Sequence, residues 1–150
     1  MRVRAQFKKF IALTFREKML FLEAFYYQMT TGLLLKVIPF RLIPRLFKNK
    51  EQVPDRSGAR RRQTKHPIQQ ILIHIKTAIQ RSGSYSPWKN KCLVSSLAAR
   101  RMLNRRKILS QVSLGVAKGE DGRVIAHAWL KSDGFEIVEK GGDFTELYLF

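Results

Sequence analysis

The chain has 150 residues and 45% of them are hydrophobic, enough to bury the core of one domain, so global disorder is excluded. Its 29 Lys and Arg against 11 Asp and Glu give a net charge of +18, which attracts polyanions, acidic peptides or anionic lipid without choosing among them. A single cysteine, Cys92, excludes an internal disulfide framework and a cysteine-rich zinc site, and one free thiol suits the cytoplasm.

Residues 1–48 are apolar and basic, and their pattern predicts two helices that cover a core or dock on a partner. The longest uncharged run, residues 24–35, has twelve residues, whereas a membrane-spanning helix needs about 20. Pro39 and Pro44 are expected to end or redirect the second helix. An alternative is an interfacial amphipathic helix with a weak membrane association. Its basic anchors would be Lys8, Lys9 and Arg16.

Residues 49–66 are interpreted as a basic linker. They contain Pro54, Gly58 and the run Arg60-Arg61-Arg62, and they show no apolar periodicity. Such charge runs are mostly solvated, which favours a mobile loop. The alternative is a landing site for an acidic segment or a nucleic acid.

Residues 67–150 are predicted to form the compact domain, of class α+β. Apolar residues at helical spacing predict a helix that begins at Pro67 and ends at Ser82-Gly83-Ser84, and a second helix over residues 92–104. Alternation of apolar and polar residues then predicts three strands in an antiparallel meander. They begin near residues 111, 124 and 135.

The chemistry is expected at Cys92 and His127. Cys92 lies where the second helix begins, and the free N–H groups and dipole there favour a thiolate, the nucleophile of acyl transfer. Lys89 and Lys91 add positive charge nearby. His127 lies in the middle of the second strand, where a buried imidazole needs a polar partner such as a thiolate. Taken singly, Cys92 is better explained as a small buried side chain and His127 as a core histidine. Together, on a helix start and then a strand, they match the order of a Cys–His acyl-transfer pair.

A Cys–His pair usually has a third group that orients the imidazole. The register of the last hairpin determines which residue faces His127 and could take that role. If Ser132-Asp133-Gly134 is a three-residue loop, Lys131 faces Phe135, and His127 then faces Glu139. If Asp133-Gly134 is a two-residue turn, His127 faces Lys140 instead. We favour the three-residue loop because it gives the histidine a carboxylate.

Two other carboxylates are candidates for the same role. Asp143 follows Gly141-Gly142 and could fold back toward the histidine, so it is the second choice. Asp133 is expected to act as a turn former.

Several short motifs follow one another over roughly residues 67–140. They read CLxxSLAA on the second helix, Gly-Val on the first strand, and His-Ala-Trp-Leu followed by Asp-Gly on the second. The residues are Cys92-Leu93, Ser96-Leu97-Ala98-Ala99, Met102-Leu103, Leu114-Gly115-Val116, Ala126-His127-Ala128-Trp129-Leu130 and Asp133-Gly134.

This combination resembles the cysteine-protease subunit of lasso-peptide biosynthesis, the leader peptidase, within the transglutaminase-like superfamily. The segment Ile38-Pro39-Phe40-Arg41 also resembles the start of that family. The resemblance implies a papain-like core in which the cysteine-bearing helix packs on an antiparallel sheet. It assigns Cys92 as nucleophile and His127 as general base and acid. The third member is commonly Asp, and the expected place holds Glu139.

The resemblance also implies partners. Such enzymes cut the leader from a ribosomally made precursor peptide, and an ATP-using macrolactam synthetase then closes the ring. Residues 1–66 look too short for a fused recognition domain, so a separate winged-helix leader-recognition protein is expected to dock on residues 1–48. No metal, cofactor or nucleic acid is expected. The alternatives are a basic nucleic-acid- or peptide-binding module without catalysis, and an amide-crosslinking enzyme.

Overall fold

A computed structural model describes residues 14–38, 42, 65–88, 91–119 and 121–149. Within these residues the chain forms three helices followed by four strands, which confirms the predicted α+β class. The helices are α1 (Phe15–Val37), α2 (Lys65–Gly83) and α3 (Lys91–Arg105). The strands are β1 (Gln111–Lys118), β2 (Val124–Ser132), β3 (Phe135–Val138) and β4 (Thr145–Leu149).

Helix α1 begins at a capping box. The Thr14 hydroxyl accepts from the Glu17 backbone N–H, and the Glu17 carboxylate accepts from the Thr14 backbone N–H at 2.9 Å. The helix ends at Val37, before Pro39, because the residue preceding a proline avoids the α conformation. The described part of the two predicted N-terminal helices is therefore one continuous helix. Pro39, Pro44, Lys8 and Lys9 lie outside the described residues.

One side of α1 packs on the other two helices. Ala24 is fully buried in the core, the buried Gln28 donates from Nε2 to the Ile79 carbonyl at 3.0 Å, and Glu23 forms a paired contact with Arg106. The other side carries exposed apolar residues. None of the helices within the described ranges combines the length and the hydropathy that a membrane span requires.

Helices α2 and α3 match their predicted spans to within two residues. α2 begins at Lys65, so the last two residues assigned to the basic linker are helical; residues 49–64 lie outside the described ranges. α3 is the most buried helix, and its core residues include Leu97, Ala98 and Met102 at 0% exposure. It packs across the sheet, mainly against β2.

The sheet has the order β3-β2-β1-β4, and all of its pairs are antiparallel. The first three strands are the predicted meander. Strand β4 was not predicted; it returns beside β1 and is exposed along its length.

Alternation along the strands gives the sheet two different faces. We call the face against the helices the near face; it presents Val112, Leu114, Ala128 and Leu130 to the hydrophobic core. The opposite side, the far face, presents Ser113, Gly115, His127 and Trp129, since these alternate with the core residues.

The predicted register of the β2–β3 hairpin is wrong. Asp133 and Gly134 both have positive φ, 48° and 78°, and form a two-residue turn that places Ser132 opposite Phe135. Asp-Gly is a favoured pair for such turns because both central residues need φ above zero. An irregularity between Leu130 and Lys131 shifts the register again, and β3 ends at Val138. The ladder therefore pairs His127 with neither Glu139 nor Lys140.

Candidate active site

Cys92 lies in the first turn of α3, as the sequence predicted. Its thiol is free and half-buried, and it packs against the edge of the hydrophobic core. The first N–H groups of a helix have no partner within the helix, so this position offers donors for an oxyanion. Lys91 beside it is exposed, and Lys89 lies outside the described residues.

His127 lies on the far face, half-buried, with its ring held at one nitrogen. Nε2 is 2.8 Å from the backbone carbonyl oxygen of Glu139. Because a carbonyl oxygen can only accept, Nε2 must carry the proton. In the neutral ring Nδ1 is then the basic nitrogen. This hydrogen bond fixes both the tautomer and the ring plane.

The Glu139 carboxylate points elsewhere. Its Oε1 accepts from Lys76 Nζ of α2 at 2.6 Å, in an ion pair whose glutamate side chain is 62% exposed. Glu139 therefore meets His127 through its main chain, whereas the sequence prediction used its side chain. Its assignment as the third catalytic residue stays a prediction.

The other two carboxylate candidates are both exposed. Asp133 occupies the first position of the two-residue turn, the turn-forming role expected of it. Asp143 lies in the loop before β4, next to Phe144, whose ring stacks on His127 with centroids 4.9 Å apart.

Aromatic packing surrounds the His127 ring. Trp129, at 3% exposure, lies on the same face two residues along, with its centroid 6.4 Å from His127. Gly115 is directly opposite His127 on β1, and an added Cβ there would come within 2.6 Å of the Thr145 carbonyl and 2.8 Å of the Trp129 ring. Lys140 Nζ lies 5.4 Å from the Trp129 centroid. The far face is thus closely packed around one titratable ring.

The structure does not bring Cys92 and His127 together. α3 covers the near face, whereas His127 projects from the far face. Both residues are described, and no hydrogen bond joins the Cys92 thiol to the His127 ring. The Cys–His pair therefore stays a prediction.

The pKa values of two charged side chains, one on α3 and one at the β2–β3 hairpin, are shifted by their surroundings. Burial lowers the pKa of Arg100, a 1% exposed residue two turns after Cys92, so α3 holds a cationic side chain inside the protein. At the hairpin, a hydrogen bond from Lys131 lowers the pKa of Glu136, which lies directly across the ladder.

Two residues near His127, Lys76 and Phe144, were not predicted from the sequence, and Gly115 was found only as part of a motif, without its position opposite His127. Gly115 had a signal, because a glycine inside an alternating strand marks a close approach of another group. Lys76 and Phe144 had none, since their contacts depend on how a helix and a loop fold over the sheet.

Residues 34–148 match the family model described as the Transglutaminase-like superfamily. The chain belongs to this superfamily. The match spans α2, α3 and almost the whole sheet, including Cys92, His127 and Glu139. Members are typically cysteine peptidases or transglutaminases, and the fold fits a peptidase. No curated protein and no solved structure matches the chain.

Proposed function

We propose that this protein is the cysteine peptidase that removes the leader from a lasso-peptide precursor. The observation that carries the proposal is a lone cysteine in the first turn of a helix, in a chain of the transglutaminase-like superfamily. Cys92 is the nucleophile and His127 the general base and acid. A separate winged-helix protein recognises the leader, and an ATP-dependent macrolactam synthetase acts on the freed core peptide.

The reaction proceeds through a thioester. The Cys92 thiol gives its proton to His127, its sulfur attacks the scissile carbonyl carbon, and a C–S bond forms. The oxyanion is held by backbone N–H groups of the first turn of α3. His127 gives its proton to the leaving amine as the C–N bond breaks. A water molecule then loses a proton to His127 and attacks the thioester, which releases the leader as a carboxylate and restores the thiol.

The proposal requires the Cys92 thiol and the His127 ring to meet when substrate is bound. Substrate binding can tighten catalytic hydrogen bonds that are long or poorly aligned in the free enzyme. Here the required rearrangement is larger, because Cys92 and His127 lie on opposite sides of the sheet. The Nε2 hydrogen bond to Glu139 is compatible with this step, because it leaves Nδ1 as the nitrogen that can face the thiol.

The exposed side of α1 supports a docking role for the N-terminal region. Large apolar side chains recur there at spacings of four, three, four and seven residues, and each is at least half exposed. This seam is the pattern by which one helix receives another apolar segment. Its members are Phe15, Met19, Leu22, Tyr26 and Leu33. The leader and its recognition protein are the proposed occupants.

The test is cleavage of a lasso precursor in the presence of its leader-recognition protein, followed by mass spectrometry. Wild type should release the leader and a core with a free N-terminal amine. Cys92→Ala should fold and lose cleavage by at least about a thousandfold, since the nucleophile is absent. Cys92→Ser is the matched control for side-chain size and should also be inactive. Cleavage retained by Cys92→Ala would end the proposal.

A binding module without catalysis is the second candidate. The observation that favours it is the position of His127 on the sheet face opposite α3. It predicts that wild type binds the precursor and does not cleave it, with equal affinity in Cys92→Ala. Transfer of the thioester to an amine, the third possibility, would give a crosslinked product of higher mass.

A further inference from the structure

Glu139 offers His127 two different acceptors, and the structure uses the less expected one. The main-chain carbonyl lies 2.8 Å from Nε2, and the carboxylate is engaged by Lys76 at 2.6 Å. We propose that the carbonyl of Glu139, presented by the turn at Gly141, is the group that orients His127. The carboxylate holds this segment against α2. The catalytic meaning of this inference rests on the proposed function.

A carbonyl and a carboxylate do different things to an imidazole. Either accepts the Nε2 proton and so fixes the tautomer and the ring plane. Only the carboxylate adds a full negative charge that stabilises the imidazolium. A carbonyl acceptor therefore positions the ring without placing a negative charge beside it. The charged side chains around this segment are the Lys76–Glu139 pair on the α2 side and Lys140 over Trp129.

The turn after Glu139 explains how the carbonyl is aimed. β3 ends at Val138, so Glu139 has left the ladder and its carbonyl is available to a side chain. Gly141 has φ +67°, a left-handed conformation that turns the chain immediately after Lys140. An added Cβ at Gly141 would meet no atom within 4 Å. A substitution there acts through the backbone conformation alone.

The chain contains a matched control for this position. Gly122, in the β1–β2 connection, has φ +77° and an equally open surrounding. Gly141→Ala and Gly122→Ala therefore impose the same kind of backbone strain in two connections between strands. Only the first lies beside the carbonyl that contacts His127, so any difference between them reports on that carbonyl.

The hydrogen bond is observed directly through the Nε2–H signal of the His127 ring in ¹H–¹⁵N NMR spectra of the full-length protein. We expect an Nε2–H signal protected from exchange in wild type, in Gly122→Ala and in Glu139→Gln. The signal should be lost or broadened in Gly141→Ala. A protected signal in Gly141→Ala together with its loss in Glu139→Gln would assign the role to the carboxylate and overturn the inference.

Precursor cleavage supplies the second readout. We expect Gly141→Ala to lower kcat about tenfold with KM little changed, the loss expected when a group that orients a histidine is displaced. Gly122→Ala should match wild type, and urea melts confirm that both variants are folded. Equal kcat in the two variants would contradict a positioning role for Gly141. A protected Nε2–H in a wild-type protein that cleaves nothing would instead refute the proposed function and leave the hydrogen bond standing.

Discussion

The near and far faces of the sheet differ in what packs on them. The near face is apolar, is covered by α3, and contains residues such as Leu130 at 0% exposure. The far face gathers His127, Trp129 and Phe144 into an aromatic cluster whose polar contact comes from a main-chain carbonyl. The packing of the near face is stabilised by the burial of apolar surface. The arrangement of the far face depends on close contacts among His127, Trp129 and Phe144.

The near face therefore contributes most to stability, and the far face holds the groups around His127. A substitution on the near face should reduce the free energy of unfolding by opening a cavity. A substitution on the far face should disturb His127 even where the loss of stability is moderate.

Leu97→Ala should have the largest effect on stability. Leu97 is fully buried in α3, and its truncation should lower the free energy of unfolding by about 3 kcal/mol through lost burial and a cavity. Leu33, on the outer side of α1, is 58% exposed, so Leu33→Ala is the matched control and should change the free energy of unfolding by less than about 0.5 kcal/mol. Urea unfolding followed by circular dichroism measures both. Similar losses in the two variants would show that α3 is not the centre of the core.

Gly115→Ala should have an intermediate effect on stability and a strong local effect. The new methyl would lie 2.6 Å from the Thr145 carbonyl and 2.8 Å from the Trp129 ring, so β4 or Trp129 must move. We expect a loss of about 2 kcal/mol by overpacking, together with a change in tryptophan fluorescence. The same fluorescence in variant and wild type would refute the close approach.

The smallest effect concerns the pH dependence of stability at the start of α1. The Thr14 backbone N–H donates to Glu17 and lowers the pKa of that carboxyl, so its contribution to stability is present above the ordinary pKa of 4.5. That contribution is lost as the pH falls through the lowered value in the folded state. Glu17→Gln should therefore be less stable than wild type at neutral pH and equally stable in strong acid. Urea melts at a series of pH values test this; a stability difference that stays constant with pH would contradict it.

The sequence predicted the helices and the first three strands because periodicity reports which face is buried. α3 was placed to within one residue at each end from the stripe that contains Ser96, Ala99 and Leu103. The prediction of the hairpin register was wrong because it gave too little weight to the turn. Asp133-Gly134 has a strong local preference for a two-residue turn, whereas the three-residue loop was favoured only because it placed a carboxylate opposite His127.

The side chains and loop that surround His127 could not be predicted from the sequence pattern. Phe144 reaches the ring from a loop, and Lys76 reaches the Glu139 carboxylate from α2, a separation of 63 residues in the chain. No periodicity encodes such contacts, because they depend on the tertiary packing of elements that are distant in sequence. The motif residues could be found from sequence, and the groups that position them could not.

Covalent capture of Cys92 by a substrate-like electrophile decides whether Cys92 and His127 act together. A peptide that carries the leader sequence and ends in an aldehyde is incubated with the protein and the recognition protein, and the adduct is located by mass spectrometry. We predict a hemithioacetal at Cys92 that forms in wild type and at least about tenfold more slowly in His127→Ala, since the ring activates the thiol. Adduct formation at equal rates in the two proteins would show that His127 and Cys92 do not act together.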